Sequence, residues 1–245
     1  MSNHLISIVK NEEELIGRFI KHHSNIFDRI TIIDNGSTDH TLDIIKGCDG
    51  VELIEDISHF GLKKLIIERE ISKSESDIII PMDADELLIY DNGEIDTDFD
   101  KIVKYLKSLE ESPSEIYQIR RVFDYIPNTT NQFKMSNKNN RKHFFRRSTF
   151  KSICPGYHVV RSENNIKEIS SLSFLHFHHM DFDKWFKSSK QKMIARLGDR
   201  WNDVGVLSGY RGASHNVAHE LAMYLSTGVW YDNDERVRYL VNIPS

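Results

Sequence analysis

Three carboxylates, Asp83, Asp85 and Glu86, follow directly on the apolar run of residues 78–82. The run is short, β-branched and uninterrupted, which reads as a buried strand. Strands of open α/β sheets present ligand-binding groups at their C-terminal ends. Asp83 and Asp85 are two apart, so in extended backbone they point the same way. Two carboxylates on one side repel each other unless a cation or proton lies between them. A hard divalent ion, Mn²⁺ or Mg²⁺, itself bridging phosphate oxygens, would use that arrangement. The plain alternative is that the acids begin a polar loop. A calcium loop fails on spacing, because its fifth and sixth positions would be Leu87 and Leu88, where an oxygen ligand and a glycine are needed.

Asp34 is the second informative acid. It closes the apolar run of residues 30–33 and opens Asp34-Asn35-Gly36-Ser37, which punctuates a tight turn. Two readings stand. The carboxylate either shapes an Asx-turn or accepts a hydrogen bond from a nucleotide base. The second, with an acid pair at another strand end, describes a nucleotide-diphosphate site at a topological switch point. Neither G-x-G-x-x-G nor G-x-x-x-x-G-K occurs, so the diphosphate would be neutralised by a metal or by Lys and Arg. The chain holds 12 histidines, and His176, His178 and His179 cluster at the end of a strand-like run. His176 and His178 would face one side and His179 the other. A half-buried surface patch is the bland reading. Imidazole also suits Mn²⁺ as a borderline ligand. His158 is the candidate for the acceptor side or general base, since an unperturbed His titrates near neutrality.

The elements that must position these groups are legible in the first half. Residues 5–9, 30–33, 51–54 and 78–82 read as strands. Between them, helical spacing appears from residue 12, from residue 41 and over residues 62–71, with Asn11 and either Thr38 or Asp39 as caps. Strand and helix alternating in this way means βαβ units and a parallel sheet flanked by helices. The second half is less regular. Residues 99–109 read as a helix, 116–126 as one strand, 171–177 as a strand, and 183–197 and 213–225 as helices. Residues 128–142 are polar with few apolar anchors and read as a mobile loop. Residues 198–212 read as loop. No clean linker appears, so the expectation is a single domain over residues 1–245, with a nucleotide-binding half (1–110) and an acceptor-side half (111–245).

Composition narrows the class. Of 245 residues, 39% are apolar and 28% charged, enough for a sizeable core. A net charge of −5 does not suggest bulk-charge binding of nucleic acid. Two distant cysteines, Cys48 and Cys154, fit a reduced setting. No signal-peptide pattern and no run of membrane-spanning length is visible. The expectation is a cytoplasmic protein, with a peripheral contact at the inner face of a membrane compatible with it.

Three stretches carry a family resemblance: Ile6-Ser7-Ile8-Val9-Lys10-Asn11-Glu12-Glu13, Ile33 to Thr41, and Asp83-Ala84-Asp85-Glu86. In order and spacing they resemble the landmarks of family-2-like glycosyltransferases of the GT-A fold. Pro155-Gly156-Tyr157-His158 and Leu175-His176-Phe177 are more weakly similar to later landmarks. The resemblance implies a GT-A-type fold, with a mostly parallel central sheet flanked by helices and a less regular C-terminal part. It implies that Asp34 contacts the base, usually uracil. Asp83 would contact the ribose or the metal, and Asp85 would ligate the metal bridging the diphosphate. Ala84 lies between them, and Val9 and Glu12 would line the nucleotide pocket. Arg69 would reach the base or phosphates, or stand as a solvated charge. Many such enzymes complete the metal's shell with a His from the C-terminal half, and His176 best fits that role. The family's frequent acidic base in the second half is not recognisable.

The expected function is a metal-dependent glycosyltransferase of hexosyltransferase type using Mn²⁺ or Mg²⁺. Its donor would be a nucleotide-sugar, a UDP-sugar, and its acceptor a glycan or lipid-linked molecule in surface polysaccharide synthesis. A sugar nucleotidyltransferase is the first rival, but Lys10-Asn11-Glu12-Glu13 is poor chemistry for gripping a triphosphate. A non-catalytic carbohydrate-binding module on the same fold is the second, and the intact acid pair argues against it.

Overall fold

The apolar runs of the first half become the strands expected of them. The computed structural model describes residues 1–58, 62–136, 141–154, 156–178, 180–212, 215–228, 238–241 and 243. In chain order come β1 (Asn3–Val9), α1 (Ile16–His23), β2 (Arg29–Asp34), α2 (Thr41–Lys46), β3 (Val51–Glu55), α3 (Lys63–Lys73) and β4 (Ile78–Pro81). β1 pairs in parallel with β2 on one side and β4 on the other, and β3 follows β2. Val9 lies opposite Asp34 and Ile6 opposite Pro81, so Val9, Asp34 and Asp83 emerge along one edge. The strand order reverses at β1, where open α/β sheets form their ligand crevice.

β1 is buried along its whole length. Ile6, Ile8, Ile33 and Ile79 share a core with Ile66, Ile67 and Ile71 of α3. Each such side chain contributes about 1.5–3 kcal/mol relative to exposure. This packing holds the start of α3 near the strand ends.

The chain continues through β5 (Glu86–Asp91), β6 (Ile95–Asp96), α4 (Phe99–Ser108), β7 (Ile116–Gln118), β8 (Val122–Tyr125), β9 (Gln132–Met135) and β10 (His143–Arg146). Then come β11 (Phe150–Ile153), β12 (Val160–Ser162), β13 (Lys167–Ile169), β14 (Leu172–His176), α5 (Phe182–Leu197), α6 (Val204–Gly209), α7 (His215–Thr227) and β15 (Arg238–Leu240). Two compact units result. The first holds Met1–Phe123, Met135–His176 and Val241–Ser245, and the second holds Asp124–Lys134 and Phe177–Leu240.

The first unit contains a seven-stranded sheet in the order β13-β7-β10-β4-β1-β2-β3. β10 runs antiparallel between β4 and β7, and β13 is parallel to β7. The sheet is mostly parallel and flanked by helices, an α/β fold as expected. A separate ladder joins β14 to β5 and β5 to β6, all antiparallel. In the second unit α5, α6 and α7 close around Trp185, Met193, Leu207, Leu221 and Ala222, and β9 pairs with β15. Among the described residues, no helix is long and apolar enough to cross a membrane.

Three expectations need correction. Residues 116–126 are not one strand: β7 pairs with β10, then the Arg120 amide turns to the Leu172 carbonyl at 2.8 Å and the chain passes to β14. Residues 128–142 are not wholly loop, since β9 occupies the middle. Phe133 is fully buried there, against the rings of Tyr125 and Phe177 at 5.6 and 5.4 Å. Residues 137–140 of that stretch lie outside the described residues. The stretch 198–212 contains α6, capped by the Asp203 carboxylate accepting from the Val206 amide at 3.0 Å.

Candidate active site

The acid motif is a turn. β4 ends at Pro81, Ala84 and Asp85 form the bend, and the Glu86 amide donates to the Asp83 carbonyl at 3.2 Å before β5 departs. The alternation expected of extended backbone therefore does not apply, and the two aspartates meet different partners. Lys63 Nζ lies 3.0 Å from Asp83 Oδ1, and Lys142 Nζ lies 2.5 Å from Asp83 Oδ2. Lys142 also lies 2.7 Å from Glu86 Oε1. Glu86 Oε2 in turn accepts from the Asp83 amide at 3.0 Å.

The elements explain this arrangement. β10 opposes β4 with Phe145 beside Ile79, so Lys142, just before β10, arrives beside the end of β4. Lys63 is the first residue of α3, a position where the helix dipole disfavours a cation, and Asp83 offsets that cost. The two lysine side chains are only 12% and 9% exposed. Beneath them lies the fully buried ring of Tyr157, 4.7 Å from Lys63 Nζ and 5.3 Å from Lys142 Nζ. Tyr157 has a φ of 62°, the left-handed region, which costs a non-glycine residue roughly 1–2 kcal/mol. Strain of this kind persists only where the surroundings over-determine it.

Electrostatics follow the geometry. Burial alone would raise the Asp83 carboxyl, but Lys142 and Lys63 outweigh it and hold that carboxyl well below the usual carboxylate range. Burial also opposes charge on Lys142, and Asp83, Glu86 and Asp85 reverse that and push the ammonium up. Burial raises the Glu86 carboxyl, with Lys142 acting in the other sense.

Asp85, in the same turn, meets an imidazole. Its Oδ2 lies 3.4 Å from His176 Nε2. The β5–β14 register fixes this approach, because His176 stands opposite Glu86, the next residue. Both side chains are 21% exposed. A carboxylate oxygen and an imidazole nitrogen at this separation fit one divalent ion, whose adjacent octahedral ligands are about 3 Å apart at bond lengths near 2.1 Å. The mixed oxygen and nitrogen set suits Mn²⁺. His178 lies in the second unit, 3.7 Å from Glu220 Oε2. His179 lies outside the described residues.

The remaining expected residues are placed as follows. Asp34 is 1% exposed. Its Oδ2 accepts from the Gly36 and Ser37 amides, both at 2.9 Å, and its Oδ1 accepts from the Ser37 hydroxyl. The turn reading thus describes most of what this carboxylate does, and about one of its four acceptor sites is left for a ligand. Val9 is 2% exposed, and its carbonyl accepts from the Asn35 amide at 2.8 Å. The Glu12 amide donates to Thr41 Oγ1 at 2.7 Å, tying the strand-end loop to α2. Ala84 is buried at the bend. The Arg69 guanidinium pairs with Asp56 at 2.8 Å and Glu70 at 2.7 Å. The His158 ring lies against Gly156, where a Cβ would come within 2.9 Å of His158 Cδ2 and would have to push the ring aside. Pro155 lies outside the described residues.

The sequence reading missed Lys63, Lys142 and Tyr157 as parts of the acid cluster. Lys142 is buried at the end of a polar stretch, and nothing in the local sequence distinguishes it from Lys138 and Arg141 beside it. The one available signal was the Gly156-Tyr157-His158 stretch, whose tyrosine forms the floor of the cluster.

A family model described as "Glycosyl transferase family 2" matches residues 5–164. Among solved structures, residues 1–349 of S. aureus TarS in complex with UDP-GlcNAc align with a TM-score of 0.52 at 10% identity, covering 92% of this chain and 72% of that one. The longer S. aureus TarS chain aligns with a TM-score of 0.47 at 10% identity, and this chain spans only 43% of it. Glucosyl-3-phosphoglycerate synthase from Mycobacterium tuberculosis, in complex with Mn²⁺ and UDP-Glc, aligns with a TM-score of 0.34 at 16% identity, covering 51% of this chain and 44% of that one. At these identities the TarS likeness is one of fold. No curated protein sequence matches the chain.

Proposed function

The chain belongs to glycosyl transferase family 2 and is a glycosyltransferase, and from that premise we propose a metal-dependent transfer from a UDP-sugar to a glycan or lipid-linked acceptor. The observation that carries the proposal is the approach of Asp85 and His176, 3.4 Å apart at the end of the β5–β14 ladder. These two residues would hold Mn²⁺ or Mg²⁺. When bound, such an ion acts as a Lewis acid on the leaving diphosphate. Val9, Glu12 and the Asp34 turn line the edge from which β1 and β2 emerge, and we assign the base and ribose to them, with Asp83 offering an acceptor to the ribose.

In the reaction the bond from the sugar's anomeric carbon to the diphosphate breaks and one to the acceptor oxygen forms. UDP leaves, and the acceptor's hydroxyl proton passes to a base. We assign that base to His158 and the acceptor side to residues 111–245. Arg69 is better read as the partner of Asp56 and Glu70 than as a phosphate ligand. The proposed setting is the cytoplasm, at the inner face of a membrane, in surface polysaccharide synthesis. A sugar nucleotidyltransferase finds no triphosphate-gripping loop here.

A panel of nucleotide-sugars with Mn²⁺, scored for thermal shift and slow hydrolysis, tests the reading. UDP-sugars should raise the melting temperature and release UDP slowly. A shift with nucleoside triphosphates and none with UDP-sugars would favour the nucleotidyltransferase.

A further inference from the structure

Both oxygens of Asp83 are held by largely buried ammonium groups, at 3.0 Å from Lys63 and 2.5 Å from Lys142. Lys142 is anchored a second time at Glu86, 2.7 Å away, and packs over the Tyr157 ring. It cannot swing away without leaving a buried carboxylate uncompensated. A divalent ion on either Asp83 oxygen, at about 2.1 Å, would stand no more than about 5 Å from an ammonium that repels it. Asp85, two residues on, instead faces an imidazole that can share an ion. The two aspartates of the motif are thus unlike in what they can bind.

We propose that Lys63 and Lys142 are positioning residues that withhold Asp83 from the divalent ion, so that firm capture of the ion waits for the donor's phosphate oxygens. The second half of this inference rests on the nucleotide-sugar reading, while the first concerns the protein alone. One carboxylate and one imidazole fill two of about six positions and hold an ion weakly. Two carboxylates free to chelate would hold it with no donor present. The lysine pair therefore couples ion to donor: an ion arrives firmly only with the diphosphate it must neutralise.

The test is Mn²⁺ binding to the nucleotide-free protein, read from the electron paramagnetic resonance signal of the free ion. Lys63→Met removes one cation and releases Asp83 Oδ1. It should tighten Mn²⁺ by about tenfold or more, the effect of removing a unit charge about 5 Å from a dication even at full aqueous screening. Lys63→Arg keeps the charge and should bind Mn²⁺ as weakly as the wild type. A merely structural lysine would leave Mn²⁺ affinity unchanged or reduced on removal, and that result for Lys63→Met overturns the proposal. Lys63→Gln carries the same comparison where the methionine variant fails to fold. Absence of UDP binding in every variant would remove the donor reading and still leave the Mn²⁺ comparison readable.

Discussion

At the scale of single residues, the site depends on charges whose partners come from distant parts of the chain. Lys142→Met leaves Asp83 and Glu86 without their shared cation, 9% exposed in the native protein. Breaking a buried pair in this way costs about 3–5 kcal/mol, and urea unfolding should show a loss of that size. Asp34→Asn replaces an acceptor that takes two amides and a hydroxyl with a group that also donates. It should weaken UDP by about 1–3 kcal/mol in calorimetry, and unchanged affinity would reduce Asp34 to a turn residue. That Asp83, Asp85 and His176 stand at strand ends was legible from residue type and the apolar runs before them. The partners each one meets were not. Extended alternation does not run from Asp83 to Asp85, because Ala84 and Asp85 form a bend. The lysines were hidden because charge runs usually mark solvated faces, and only the register of β10 on β4 brings Lys142 inward.

At the scale of elements, α1 is tied to the strand leaving the acid motif by neutral histidines. His22 Nε2 bonds the Leu88 carbonyl at 2.7 Å. His23 Nδ1 donates to the Phe19 carbonyl at 2.8 Å while its Nε2 accepts from the Leu88 amide at 3.3 Å. That pair of roles requires an uncharged ring. Burial lowers the pKa of both, and in β1 it lowers His4 to about 4. The folded pKa lies below the unfolded value of 6.5, so the unfolded chain takes up the proton first. The contribution of His4 is therefore whole above pH 6.5 and falls by about 1.4 kcal/mol per unit between 6.5 and about 4. Urea unfolding at pH 7 and pH 5 should show the loss, and His4→Asn should flatten that slope. An equal slope in the variant would acquit His4. The parallel strands and their helices were readable because long periodic or uninterrupted runs dominate them. Two boundaries were not, for one reason: a strand that changes partner after Gln118, or that hangs on the single buried ring of Phe133, leaves little local pattern.

At the scale of the whole molecule, the family match covers residues 5–164, most of which lies in the first compact unit. The division into units does not follow a cut near residue 110. The first unit takes back Met135–His176, and with it β10 and β14, which deliver Lys142 and His176 to the acid motif. A linear sequence reads as halves, but the sheet recruits by register. The proposed function requires the donor's diphosphate to bind through an ion held by Asp85 and His176. Calorimetric titration of UDP, with Mn²⁺ and again with EDTA, tests it most directly, in the wild type and in Asp85→Asn and His176→Ala. Roughly micromolar affinity in Mn²⁺ should fall by on the order of tenfold or more with EDTA, and each variant should bind in Mn²⁺ about as weakly as the wild type does in EDTA. UDP bound equally well by all three proteins, with and without the ion, would contradict it.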